Sequence, residues 1–60
     1  ENGELFQIIK EQYKDAYGCV KMIYLMMEDE YHYQLTEDEM LYLTIHIQKI
    51  TEDQKRLETL

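Results

Sequence analysis

Apolar residues recur along the chain in steps of three and four. Nowhere do they show the strict alternation that a half-buried strand needs. Leu5, Ile8, Ile9 and Tyr13 form the first stripe and predict a helix from about Glu4 to Tyr13, with Asn2 placed to cap it. Around Lys14 and Asp15 the apolar face changes phase, so a bend or short break is expected, with Asp15 capping a longer second helix. There Ala16, Val20, Ile23, Met27 and Tyr31 keep the spacing of one buried stripe, widened by Tyr17, Tyr24 and Leu25. Gly18 falls inside this helix, where glycine costs up to about 1 kcal/mol relative to alanine. Close helix packing is the expected reason for its presence.

A third helix announces its start more sharply. In Leu35-Thr36-Glu37-Asp38-Glu39-Met40, Thr36 can accept the Glu39 amide while Glu39 reaches back to the Thr36 amide. Leu35 and Met40 are spaced to clasp across the same turn, which completes a capping box with a hydrophobic staple. Three acids in the first turn suit the positive end of the helix dipole. The helix is therefore predicted to begin at Glu37, with Met40, Leu43, Ile47 and Ile50 inward, supported by Leu41 and Ile45. Thr51-Glu52-Asp53-Gln54 resembles a weaker second box, so the last ten residues either continue this helix or restart it.

Composition agrees with an all-α reading of about three helices. Proline is absent, the only glycines are Gly3 and Gly18, and Gln, Glu, Lys, Leu and Met, all comfortable in helices, are abundant. Sixty residues make at most one small domain. A chain of that length buries only about 60% of the surface its unfolded form exposes, so a monomer is marginal. A single cysteine, Cys19, allows no internal disulfide and no zinc-ligand set, and an unpaired thiol suits a reducing cytoplasm. The opening Glu1-Asn2-Gly3, without methionine, suggests a piece of a longer protein. Missing helices or oligomerisation are expected to complete the bundle.

Charge removes several function classes. Thirteen acidic residues against six basic ones give a formal charge of −7, opposite to the field that a nucleic-acid surface or an anionic membrane requires. No apolar run approaches the roughly 20 residues of a membrane helix. Catalysis is equally poorly provided for. The chain has no serine, Cys19 has no patterned histidine partner, no Gly-rich phosphate loop exists, and the carboxylates gather at helix starts and on polar faces.

Two histidines remain as candidate chemistry. His32, between the second and third helices, reads as an exposed loop residue. Asp29 stands three before it, yet residue 43, three before His46, is leucine, so the paired Glu-x-x-His pattern of a di-metal bundle is missing and no metal site is expected. His46 sits in Leu43-Thr44-Ile45-His46-Ile47, at the edge of the apolar stripe. It shares a helical face with Glu39, Tyr42, Lys49 and Ile50. Periodicity alone leaves open whether it merely shields the core.

The segment from Leu35 to Lys49, an acidic capped start followed by Leu43-Thr44-Ile45-His46-Ile47 and a basic residue, resembles the C-terminal signature of PTS regulation domains (PRDs). Ile9-Lys10-Glu11-Gln12-Tyr13, followed by Ala16-Tyr17 and Cys19, is similar to the family upstream. The resemblance runs from about Glu4 to Ile50. It is nearest the second such domain of BglG/LicT-type transcriptional antiterminators, so residues 1–60 would be the C-terminal portion of a single PRD. It implies a cytoplasmic helical domain that dimerises and takes a phosphoryl group on His46 from the phosphocarrier protein HPr or a sugar permease. RNA would be bound by a separate domain, and helical spacing makes Lys49, Tyr42 and Glu39 the candidate surroundings of the group on His46. No cofactor is implied, and His32 matches no phosphorylation position.

Many members of the family carry arginine where this chain has Lys49, which keeps the charge and loses the planar fork able to hold phosphate at two points. Phosphorylation adds roughly −1.5 to −2 charges. Repulsion from Glu39 is expected, with Lys49 or basic groups outside the chain compensating. Two other readings are consistent with the residues: a PRD of a DNA-binding activator, and a purely structural helical dimerisation module.

Overall fold

The computed structural model describes residues 2–58; Glu1, Thr59 and Leu60 lie outside the described residues. It consists of α1 (Asn2–Gln12), α2 (Lys14–Tyr31) and α3 (Glu37–Glu58), with no strand among the described residues. All three helices touch one another.

Their boundaries depart from the sequence reading at the first two starts. α1 takes in Asn2 as its own first residue, so Asn2 does not stand ahead of the helix as its cap. The break before α2 is a single residue, Tyr13, which occupies the capping position with φ −119° and ψ 59° and makes no side-chain capping bond. Backbone bonds from the Tyr13 amide to the Ile9 carbonyl and from the Tyr17 amide to the Tyr13 carbonyl, both 2.9 Å, carry the ladder across it. Asp15 therefore lies in the first turn of α2, where its charge faces the positive helix end, and is not the cap.

α2 closes in an αL motif, with a 5→1 bond from its left-handed residue. The His32 amide donates to the Glu28 carbonyl at 3.0 Å and the Tyr33 amide to the Met27 carbonyl at 3.3 Å. His32 itself adopts the left-handed conformation, φ 55° and ψ 33°. α3 then begins at Glu37, as its capping box predicts, and runs unbroken to Glu58. Thr51 starts no new helix; its hydroxyl donates back to the Ile47 carbonyl at 2.9 Å.

The core is small. Phe6, Ala16 and Val20 are its buried apolar side chains, and Thr44 is its buried polar one. Phe6 meets Tyr17 edge-to-face with centroids 5.8 Å apart. The Thr44 hydroxyl, wholly buried, donates to the Met40 carbonyl at 2.7 Å, so its burial leaves no unpaired polar atom. In α1 the stripe is thus phased on Phe6, while Leu5 and Ile8 stay exposed. In α2 Tyr31 and Leu25 are also exposed, although the spacing assigned them to the interior. Around Gly18 there is open space, and a methyl group there would touch nothing within 4 Å, so close packing does not explain this glycine. In α3 the inward centre is Thr44, and Ile45 and Ile50 face outward.

Candidate functional site

The phase of α3 decides what its outer face presents. At about 100° per residue, His46 lies roughly 200° around the helix from Thr44. Tyr42, Lys49 and Asp53 fall within about 40° of the direction opposite Thr44. His46 is accordingly exposed, on the solvent face and beyond the rim of the apolar stripe where the sequence set it. The cause is Thr44: a helix whose buried centre is a self-satisfied threonine turns its histidine further out than a count of Leu and Ile suggests.

Tyr42 stands one turn before His46. Their rings are nearly parallel, 10° between planes, with centroids 5.7 Å apart, an offset stack. Tyr42 is itself 65% exposed, so neither ring owes its place to burial. It also walls a shallow cleft of about 350 Å³ with Leu35, Asp38, Glu39 and Leu43.

Lys49, one turn after His46, leans toward the C-terminal side. Its ammonium lies 3.5 Å from the Asp53 carboxylate, and Asp53 is held from the other side by Arg56. Both cations are largely solvent-exposed, so these pairs contribute little to stability. Their interest lies in placing a positive charge beside the histidine face.

Glu39 is occupied elsewhere. It accepts the Thr36 amide at 2.9 Å and returns the bond, its own amide donating to the Thr36 hydroxyl at 3.1 Å. Both of its carboxylate oxygens also share the Tyr33 hydroxyl proton, at 2.8 and 2.7 Å. The Thr36 amide, seconded by the Tyr33 hydroxyl, holds the Glu39 carboxyl below its usual range. The same carboxylate pushes the Tyr33 hydroxyl upward. Seven residues separate Glu39 from His46, about 10 Å along the axis. That distance is near the Debye length at physiological salt, so a new charge at His46 meets weaker repulsion from Glu39 than expected.

His32 is exposed at the end of α2, apart from this face. No group of three His, Cys, Asp or Glu side chains converges as a metal site among the described residues. A second cleft, about 580 Å³, lies where the α1–α2 junction meets α3, lined by Lys14, Asp15, Cys19, Gln48 and Lys55 among others. His46 is not part of it. No helix among the described residues is long and apolar enough to cross a membrane.

The described residues form an acidic, all-helical unit that displays a stacked histidine on the same helix face as a lysine. The chain belongs to the PRD domain family, whose profile matches residues 1–50. It is 50% identical over 46 residues to the transcription antiterminator LicT of Bacillus subtilis (strain 168), covering 77% of this chain and 17% of LicT. It is 36% identical over 50 residues to the beta-glucoside operon antiterminator of Dickeya chrysanthemi, covering 83% of this chain and 18% of that protein. The chain thus spans less than a fifth of the length of either relative. No solved structure matches it.

Proposed function

We propose that this chain is the C-terminal portion of the second PRD of a BglG/LicT-type antiterminator, and that His46 receives a phosphoryl group from the sugar phosphotransferase system. Phosphorylation then controls dimerisation in the cytoplasm and, through it, RNA binding by a separate domain. The observation that carries the reading is the exposure of His46 on the outer face of α3, within a chain that belongs to the PRD family.

The chemistry asks little of the acceptor. The lone pair of one ring nitrogen of His46 attacks phosphorus. An N–P bond forms as the bond from phosphorus to the donor breaks, and the donor group leaves with the bonding pair. When the donor is itself a phosphohistidine, each ring keeps the proton on its other nitrogen and no net proton moves. His46 turns over no substrate, so the face needs access and a counter-charge rather than an assembled catalytic group.

Lys49 supplies the counter-charge. Released from Asp53 it can turn one helical turn toward the phosphoryl oxygens. Asp53 retains Arg56, so the exchange strands no carboxylate. As a point charge, Lys49 offsets part of the new negative charge without gripping the group in a fixed orientation.

Phosphorylated HPr, mixed with the full-length protein and followed by mass spectrometry with site mapping, tests the reading. An adduct at His46 that disappears in His46→Ala is expected. Wild-type protein that takes no phosphoryl group, or equal labelling of His46→Ala, would overturn it.

A further inference from the structure

Resting on that reading, we infer that Tyr42 is the positioning residue of the His46 site. Its ring face fixes the orientation of the imidazole and shelters the cationic ring that phosphorylation creates.

An exposed histidine on a helix ordinarily samples several side-chain rotamers. Stacked 10° from parallel on Tyr42, with centroids 5.7 Å apart, His46 has one ring face occupied. The ring edges, where both nitrogens lie, stay open to a donor. Tyr42 also lines a shallow cleft with Leu35 and Leu43. The stack therefore pre-orders the nucleophile before the donor arrives, at the edge through which in-line attack must come.

The product gains as well. An imidazole phosphorylated on one nitrogen and protonated on the other carries positive charge in the ring. The face of an aromatic ring carries the negative end of its quadrupole and attracts such a cation. Any aromatic face supplies that attraction, so the Tyr42 hydroxyl is dispensable.

The experiment compares wild type, Tyr42→Phe, Tyr42→Ala and Tyr42→Leu in the full-length protein, with His46→Ala as reference. Two donors are used, phosphorylated HPr and the small donor phosphoramidate, which transfers its phosphoryl group with loss of ammonia and needs no docking surface. Tyr42→Ala and Tyr42→Leu are expected to slow transfer to His46 by about two- to fivefold with both donors and to shorten the adduct half-life similarly, the range for an exposed cation–π contact. Tyr42→Phe should restore both. The ring-current shift of the His46 ring protons in NMR spectra should be present in wild type and Tyr42→Phe, and lost in the other two.

If His46 is labelled yet Tyr42→Ala and Tyr42→Leu match wild type, Tyr42 does not position it, and the acceptor assignment stands. A deficit confined to phosphorylated HPr makes Tyr42 a docking contact and overturns the inference. A Tyr42→Phe defect equal to that of Tyr42→Ala does so too, because the hydroxyl would then be the active group. Failure to label His46 in wild type removes the acceptor reading itself.

Discussion

A left-handed histidine closes α2, at the position where helices most often end in glycine. His32 keeps φ 55° because both of its flanking amide bonds are made there, and an L side chain in that conformation carries roughly 1–2 kcal/mol of strain. Replacing His32 with Gly should therefore raise unfolding stability by about 0.5–1 kcal/mol, the glycine's gain in the unfolded chain offsetting part of the relief. Chemical denaturation of the two proteins checks the sign, and a loss of stability would mean that the side chain contributes something the backbone geometry hides. At this scale the sequence was a partial guide. His46 is chosen by residue type, since only two histidines exist, but its orientation is set by Thr44, whose burial depends on a hydroxyl that bonds its own helix. Hydropathy patterns score threonine as polar and so shift the stripe. Glu39 was legible in its capping role, through its spacing from Thr36. Spacing also puts it on the His46 face, and its hydrogen bonds to Thr36 and Tyr33 engage its carboxylate at the helix start.

Elements defined by local bonds were legible, and those defined by packing were less so. The start of α3 is written in Thr36 and Glu39 and appears in the structure with both reciprocal bonds. The α1–α2 break falls one or two residues before the change of apolar phase at Lys14 and Asp15, because Tyr13 makes no side-chain cap for a pattern to find. The capping network also sets a pH dependence. Because the folded Glu39 carboxyl titrates below its ordinary value of 4.5, its contribution is present above that pH and fades as pH falls through the lowered value. Tyr33 works in the other direction. Its hydroxyl titrates above 10.0, so its bond is intact below pH 10 and is lost as pH rises through the raised value. The α3 start should thus be firmest across the neutral range. Thr36→Ala should cost about 1 kcal/mol at neutral pH, a usual value for a lost N-cap. Glu39→Gln should flatten the acid limb of stability against pH. Denaturant titrations at a series of pH values read both, and an unchanged acid limb in Glu39→Gln would show that the network contributes nothing.

For the molecule as a whole the decisive quantity is unmet apolar surface. The described chain measures 42 × 29 × 13 Å, and a body so thin keeps most side chains near its surface. Its interior holds Phe6, Ala16, Val20 and Thr44, while Met22, Leu25, Ile50 and Leu57 are each more than half exposed. A core of that size returns little against the roughly 1–2 kcal/mol of backbone entropy lost by each ordered residue. The imbalance was visible in the sequence, where 45% hydrophobic residues share 60 positions with no disulfide to help. Which side chains remain uncovered was not visible, since that depends on how the three stripes meet. The chain in isolation should accordingly associate, burying these residues between copies, and its melting temperature should climb with protein concentration because association is linked to folding. Net charge of −7 opposes that association at low ionic strength, so added salt should favour it by screening. Sedimentation equilibrium at low and high salt, paired with thermal melts over a hundredfold concentration range, measures both trends. A folded monomer with a concentration-independent melting temperature would show that the small seam centred on Val20 and Thr44 suffices, leaving the exposed faces for a role other than holding the fold together.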